Sequence, residues 1–291
     1  VSSHGRNTDA RSPVLLSAYD TPADLVEAIC GKGWSGEVLA GAGHGRGLVR
    51  VAEPQPPMLA ELLAGAPPIG LQILEPSAGD GAFPRALLAA GHPPERIEVM
   101  DLDPLAACYE LAAEGVTCTR CRDSADPVAT GFLITEPATR PDLVLGNPPY
   151  NAPQPSRACT ACGGKGGSCR RCGGSGALHP KPIPVTEDHV RRGLAVTGRH
   201  LVYVLQVGFL GSNERHYGQA VIPGYAWDVP LFELPHLREI RIVTPRPKFR
   251  HGRSDSAETI VAWWDLAWGR DSWTGGRLRW TGRPDAPGSR P

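Results

Sequence analysis

An open α/β sheet of seven strands, interrupted after the fourth by a small four-cysteine module, is the architecture this sequence predicts. Apolar runs of strand length alternate with helical stretches before and after that module. The first run, Leu71-Gln72-Ile73-Leu74, opens into the turn Glu75-Pro76-Ser77-Ala78-Gly79-Asp80-Gly81-Ala82-Phe83 and a helical stretch from Arg85 to Ala90. That is the strand–turn–helix unit of doubly wound sheets. Two Cys-x-x-Cys pairs between Cys159 and Cys172 break the alternation.

The elements follow in chain order. Residues 1–14 read as a disordered N-terminus, and residues 15–150 as N-terminal helices followed by the first half of the sheet. The glycine-rich stretch Gly31 to Glu53, with its lone Trp34, receives no role. Arg96-Ile97-Glu98-Val99-Met100 is the second strand and ends in Asp101-Leu102-Asp103-Pro104. Thr117 to Asp123 is the third strand and Asp142 to Gly146 the fourth. Residues 151–180 form the cysteine module. Residues 181–280 complete the sheet, with a helix from Asp188 to Thr197 capped by Thr186 or Asp188, then strands His200 to Leu210, Leu237 to Thr244 and Glu258 to Leu266. Residues 281–291 read as a disordered tail.

Asn147-Pro148-Pro149-Tyr150 stands directly after the fourth strand, at the sheet end where open α/β folds place their chemistry. Each proline removes an N–H and fixes φ, and Pro149 holds Pro148 extended. The Asn147 side-chain oxygen and the Pro148 carbonyl can therefore converge as two bare acceptors, which suits an amine. Tyr150 adds a flat face for a planar ring. A proline turn ending a strand is the plainer reading of the same residues. In the glycine turn, the backbone can approach a ligand closely and the following helix N-terminus offers free N–H groups. The third glycine of the dinucleotide fingerprint is missing. Asp101 lies just past the second strand, a position suited to a ribose diol.

Asn147-Pro148-Pro149-Tyr150 resembles the catalytic motif of S-adenosylmethionine-dependent amino-methyltransferases, chiefly those acting on adenine N6, and the Glu75 to Phe83 nonapeptide resembles their cofactor loop. The resemblance covers roughly residues 56–268 apart from the insertion, and it implies a Rossmann-like class I methyltransferase fold. It implies that Glu75, Pro76, Ala78, Gly79, Asp80 and Gly81 surround the cofactor, that Asp101 binds its ribose and that Asp123 meets its adenine amine. Asp123 reads equally well as a solvated loop acid. Arg246-Pro247-Lys248-Phe249, followed by Ser254-Asp255-Ser256 and an aromatic strand, resembles the tail of phage-type and prophage-type members, where the aromatic packs on the displaced base. Phe249 is that candidate, with a core-edge phenylalanine as the alternative. A Thr-Pro or Pro-Pro followed by an amphipathic helix usually precedes the cofactor loop in this family. Tyr19 to Val26 and Pro56 to Leu63 compete for that place.

The implied activity is site-specific methylation of a flipped adenine in DNA, as in restriction-modification. RNA adenine or a protein glutamine is the alternative substrate. A non-catalytic, zinc-dependent nucleic-acid-binding module on a methyltransferase-like fold is the alternative of another class.

Cys159, Cys162, Cys169 and Cys172 have the spacing of two zinc knuckles, with glycines after each second cysteine leaving room for tight turns. Four thiolates imply one structural Zn2+ with no open position for catalysis. The repeat resembles the zinc repeats of J-domain chaperones, set unusually close together. Because Cys159 follows Tyr150 by only nine residues, the module is expected beside the mouth of the site, with Lys165, Arg170 and Arg171 making it basic. Cys30 and Cys108 read as buried small hydrophobes. Cys118 and Cys121 read as packing on opposite faces of a strand.

At 291 residues and 41% hydrophobic residues, the chain can bury one large core plus a small module. The formal charge is zero but polarised. Residues 1–150 carry 10 Lys+Arg against 19 Asp+Glu, and residues 151–291 carry 20 against 11. A polyanion such as DNA would find its footprint on the second half. No run of about 18 apolar residues and no signal-peptide core is present, so a cytoplasmic protein without membrane contact is expected; oligomeric state is left open.

Overall fold

The computed structural model describes residues 21, 23–30, 34–40, 49–55, 59–60, 70–211 with short breaks, 236–244, 259–267 and 277–282. The breaks are residues 125, 127–129, 153–156, 166, 172–174 and 179–182.

Apolar side chains alternate between two faces along each central strand, so the sheet is covered on both sides. The first half supplies helix α1 (Ala23–Cys30) and a hairpin of β1 (Trp34–Ala40) with β2 (Val49–Gln55). Then come β3 (Ile73–Glu75), α2 (Ala82–Ala89), β4 (Ile97–Asp101), a 3-10 segment (Ala107–Glu114), β5 (Thr117–Arg120) and β6 (Leu143–Gly146). After β6, four two-residue strands bracket the cysteine module: β7 (Asn151–Ala152), β8 (Arg157–Ala158), β9 (Ala177–Leu178) and β10 (Ile183–Pro184). Helix α3 (Thr186–Val196), β11 (His200–Gln206), β12 (Leu237–Thr244), β13 (Thr259–Asp265) and β14 (Arg277–Gly282) complete the fold.

The main sheet has the order β14-β12-β13-β11-β6-β3-β4-β5. Neighbours pair in parallel except where β13 lies antiparallel between β11 and β12. All seven expected strands are present, and β14 adds an eighth at the edge. From β3 the chain winds outward through β4 and β5, then returns to the other side of β3 as β6. The β3/β6 boundary is therefore the topological switch point, where a crevice opens past the carboxyl ends of the strands.

One core layer joins Ile73, Val99, Leu145, Val202 and Trp263 to α1 and α2 through Leu25, Ile29, Phe83 and Leu87. The other joins Leu74, Val144, Leu201, Tyr203 and Trp264 to α3 through Val190 and Leu194. Each fully buried large aliphatic or aromatic side chain contributes roughly 1.5 to 3 kcal/mol. Cys118 packs on the first layer and Cys121 in the second, as strand alternation requires. Cys30 and Cys108 are buried in the first.

Local chemistry explains the helix ends. Gly81, at φ 77°, precedes α2, and Asp80 Oδ1 accepts the Ala82 N–H at 3.1 Å. Pro84 falls in the first turn, where no intrahelical N–H bond is lost. Gly91 at φ 85° ends the helix, and the Gly91 and His92 N–H groups reach back to the Leu88 and Leu87 carbonyls. Helix α3 begins at Thr186, but no side chain caps it; the Thr186 hydroxyl turns back toward the Pro149 and Tyr150 carbonyls instead. Gly193 brings α3 close to the sheet, since a Cβ there would lie 2.8 Å from Leu201 Cδ1.

Three differences from the sequence reading concern non-local pairing. The unassigned glycine-rich stretch forms the β1–β2 hairpin, which lies alongside β14. Strand β14 ends at Gly282, so it takes in the first two residues of the expected tail. The third and fifth strands are shorter than expected, because β5 stops at Arg120 and β11 passes into a 3-10 turn from Val207. Among the described residues, no helix is long and apolar enough to cross a membrane.

His189 of α3 is 3% exposed, lies 5.8 Å from the Phe132 ring, and among the described residues its Nδ1 has no hydrogen-bond partner. Burial lowers its pKa to about 3. Folded His189 thus binds its proton less readily than the unfolded residue does at about pH 6.5. Its contribution is complete above about pH 6.5 and is lost as pH falls toward the folded value. Urea unfolding at pH 7 and pH 4 should differ by on the order of 3 kcal/mol from this residue. His189→Leu should narrow that difference measurably; an unchanged difference would show that other groups set the acid sensitivity.

Candidate active site

The switch point gathers the sequence motifs into one place. Strands β3 and β6 lie side by side in parallel, with Ile73 opposite Leu143 and Leu74 opposite Val144. Their carboxyl ends therefore present the Glu75 turn and the Asn147 tetrapeptide together. A Cβ on Gly146 would lie 3.6 Å from both Glu75 Cγ and Pro76 Cδ, and 3.8 Å from Tyr203 Cε1. These are ordinary contact distances, so the end of β6 lies directly against the Glu75 turn.

Asp101, at the end of β4, organises the glycine turn. Its Oδ2 accepts the Gly79 N–H at 2.8 Å and its Oδ1 accepts the Asp103 N–H at 2.8 Å. Burial raises the Asp101 carboxyl, and the Gly79 and Asp103 N–H donors pull it partly back. Further bonds fold the loop: Ala78 N–H to the Met100 carbonyl at 3.1 Å, and Cys108 N–H to the Gly79 carbonyl at 3.1 Å. Gly79 and Gly81 have φ of 52° and 77°, a left-handed backbone that glycine adopts without strain. A Cβ on Gly81 would also come within 3.1 Å of Leu111 Cδ1.

Glu75 is 5% exposed and, among the described residues, its Oε2 has no hydrogen-bond partner. Burial pushes its carboxyl well above the usual range, and the charges of Asp80 and Asp101 add to the rise. A buried acceptor with no donor is costly unless a ligand supplies one. Helix α1 closes this side, with Leu25, Val26 and Ile29 in one cluster with Ala78 and Phe83. Of the two competing N-terminal segments, the helix after Thr21-Pro22 thus packs against the loop. Leu59 of the other joins the same cluster, while most of that segment lies outside the described residues.

On the other side, Asn147 and Tyr150 are 7% and 6% exposed. The Tyr150 hydroxyl donates to Asn147 Oδ1 at 3.0 Å. The Val185 N–H donates to the Tyr150 carbonyl at 3.2 Å, and the Thr186 hydroxyl lies 3.4 Å from the Pro149 carbonyl. Strand β10 pairs with β7, placing Pro184 opposite Asn151 and Ile183 opposite Ala152. The tetrapeptide is thus anchored by the segment that returns from the cysteine module. Sequence reasoning did not assign Thr186 or Tyr203 to the site, because both contacts join residues more than 35 positions apart in the chain.

Asp123 is exposed beyond β5, where its Oδ1 accepts the Ser124 N–H at 2.8 Å. Phe249 lies outside the described residues. Cys159, Cys162 and Cys169 bring their Sγ atoms within 4.8 Å of one another, with Cys159 and Cys169 separated by 3.8 Å. A tetrahedral thiolate site with metal–sulfur bonds of about 2.3 Å has sulfur–sulfur edges of about 3.8 Å. The Cys159–Cys169 separation therefore matches one edge of such a site, and Cys162 lies close enough to join it. Cys172, the expected fourth, lies outside the described residues.

No protein-family model matches the chain. Over 108 residues, 36% of its length, the chain is 39% identical to the Type II methyltransferase M.TthHB8I of Thermus thermophilus. The fold is an open, mostly parallel, Rossmann-like α/β sheet. The matched segment spans 22% of the Thermus protein's length. A type I restriction-modification system methyltransferase subunit from Streptococcus thermophilus aligns over 71% of this chain and 42% of its own, at 18% identity and a TM-score of 0.42. Magnesium protoporphyrin IX methyltransferase from Synechocystis, solved with bound S-adenosylmethionine, aligns over 71% of this chain and 75% of its own, at 9% identity and a TM-score of 0.37. The sequence relative is a methyltransferase, in accord with the resemblance that the motifs carry.

Proposed function

We propose that the protein transfers a methyl group from S-adenosylmethionine to the N6 amine of an adenine extruded from DNA. The observation that carries this reading is the meeting of a glycine cofactor loop and a buried Asn-Pro-Pro-Tyr at the switch point of one sheet. The cofactor fits the residues present. Glu75 holds a buried oxygen without a donor among the described residues, and Asp80 and Asp101 surround it with further negative charge. A ligand that bears an ammonium and a sulfonium relieves that excess. The Asp101 carboxylate keeps lone pairs for a ribose diol beyond the two N–H groups it already holds. When bound, S-adenosylmethionine supplies an electrophilic methyl group.

The protein's own part is positioning. Asn147 Oδ1 and the Pro148 carbonyl accept the two amine hydrogens and aim the nitrogen lone pair. The Tyr150 hydroxyl donates to Oδ1 at 3.0 Å and so steadies this acceptor. Tyr150 must turn part of its ring face outward to stack on the extruded base, because it is only 6% exposed here. Stacking of that kind contributes about 1 to 3 kcal/mol and offsets part of the unstacking cost. Asp123 and Phe249 retain their proposed places at the cofactor adenine and the displaced base. Cys159, Cys162, Cys169 and Cys172 hold one structural Zn2+, supported by the 3.8 Å sulfur–sulfur edge.

Purified protein incubated with methyl-labelled S-adenosylmethionine and mixed-sequence duplex DNA should produce N6-methyladenine on nucleoside analysis. Label appearing in RNA or protein and absent from DNA would overturn the substrate assignment. Failure to bind the cofactor would overturn the enzyme reading.

A further inference from the structure

The cysteine module is joined to the catalytic tetrapeptide by a backbone stalk. Its outgoing strand begins with Asn151, directly after Tyr150, and its returning strand pairs back onto the same residues through Pro184 and Ile183. A second rung pairs Arg157 with Leu178 and Ala158 with Ala177 farther out. Cys159 follows immediately, its N–H bonded to the Gly176 carbonyl at 2.8 Å. The thiol cluster therefore ties the two sides of a hairpin-like excursion whose root is the active-site backbone.

The charge of this excursion is one-sided. Residues 151–185 contain five Lys+Arg and no Asp or Glu. A zinc with four thiolates carries a net charge of about −2, which leaves the module at about +3. Lys165, Arg170 and Arg171 are exposed beside the thiols, and among the described residues no ion pair occupies them. A solvated cationic tip is ordinary on a protein surface. One rooted on a catalytic loop, with no acid anywhere along it, matches a polyanion that passes the site.

Reach decides which polyanion groups it can meet. The nine residues from Tyr150 to Cys159 span at most about 32 Å when fully extended. One turn of B-DNA is about 34 Å. Cys159 therefore stays within about one turn of the base held against Tyr150, and the thiol cluster, with Cys169 next to Arg170, keeps the basic residues near Cys159.

Resting on the methyltransferase reading, we infer that the metal-bound cysteine module is a phosphate grip. Lys165, Arg170 and Arg171 hold the DNA backbone next to the target base, and the thiolate-bound metal fixes that grip to the catalytic tetrapeptide. The contact is with phosphate and is independent of sequence.

The test compares the full-length chain with K165A/R170A/R171A and with C169S, using a fluorescein-labelled DNA duplex at several salt concentrations. The triple variant should bind DNA at least about tenfold more weakly at 0.1 M salt. The slope of log affinity against log salt should shrink by about 2.7, at 0.9 per phosphate contact. Its S-adenosylmethionine affinity and zinc content should stay at wild-type levels. C169S should lose zinc and DNA affinity together while still binding S-adenosylmethionine, because a local module can unfold without the α/β core. Unchanged DNA affinity and slope in the triple variant, with wild-type protein methylating DNA, would overturn the grip and leave the enzyme reading standing. A slope change confined to single-stranded RNA would overturn it as well. Wild-type protein that binds cofactor but neither binds nor methylates DNA would remove the reading on which it rests.

Discussion

Asn147→Ala is expected to slow methyl transfer by at least about a hundredfold while cofactor and DNA still bind, as removal of a preorganised polar group does at other acyl- and group-transfer sites. The side chain is 7% exposed and held by the Tyr150 hydroxyl at 3.0 Å, so its oxygen is fixed before substrate arrives. Alanine removes one of the two acceptors and leaves the amine held by the Pro148 carbonyl alone. It also deprives the buried Tyr150 hydroxyl of this partner. Tyr150→Phe separates the two effects: it keeps the ring and removes the hydroxyl that bonds Oδ1, at about 1 kcal/mol or roughly fivefold in rate. Single-turnover rates at saturating cofactor and DNA measure both. Near-normal transfer by Asn147→Ala would sink the positioning mechanism, whatever the effect on affinity.

Asp101→Ala is expected to weaken S-adenosylmethionine binding by about a hundredfold or more, on the order of 3 kcal/mol for the loss of charge-assisted bonds. The sequence alone suggests one role for this carboxylate, on the ribose. The structure adds another, because the same two oxygens anchor the Gly79 and Asp103 N–H groups at 2.8 Å each. Alanine would remove the ligand contact and release the glycine turn whose shape makes the site. Asp101→Asn retains one acceptor and should fall between alanine and wild type. Titration calorimetry reads the affinity, and thermal unfolding without cofactor reads the loop's own contribution. Wild-type affinity in Asp101→Ala would remove Asp101 from the cofactor site.

Much of the sheet was legible because its signals are local. Leu143-Val144-Leu145 and His200 to Gln206 are apolar on both faces, as strands covered by helices must be, and Leu237 to Thr244 falls where the period of two places it. The glycine turn was legible because only glycine adopts φ of 52° and 77° freely at Gly79 and Gly81. Strand β14 and the β1–β2 hairpin were not. Their strands contain glycine, proline or charged residues that break the apolar period, and what holds them is pairing, such as Ile240 with Leu278. Helix α3 was legible in extent but not in its first residue, because the Thr186 hydroxyl that would cap it faces carbonyls of the tetrapeptide 36 and 37 positions earlier.

By itself the sequence determined the strand runs, the glycine turn, the adjacent Asn147 and Pro148 acceptors, and the cysteine spacing, since each follows from side-chain period or from the backbone limits of Gly and Pro. Only the tertiary structure decided that Glu75 and the tetrapeptide meet across Gly146, that Tyr150 holds Asn147, and that the cysteine module is rooted on Tyr150 through Pro184 and Val185. Apart from the Tyr150–Asn147 bond, those contacts join residues far apart in the chain. They arise from strand order and register, which are set by the burial of the whole sheet and by no single segment of it.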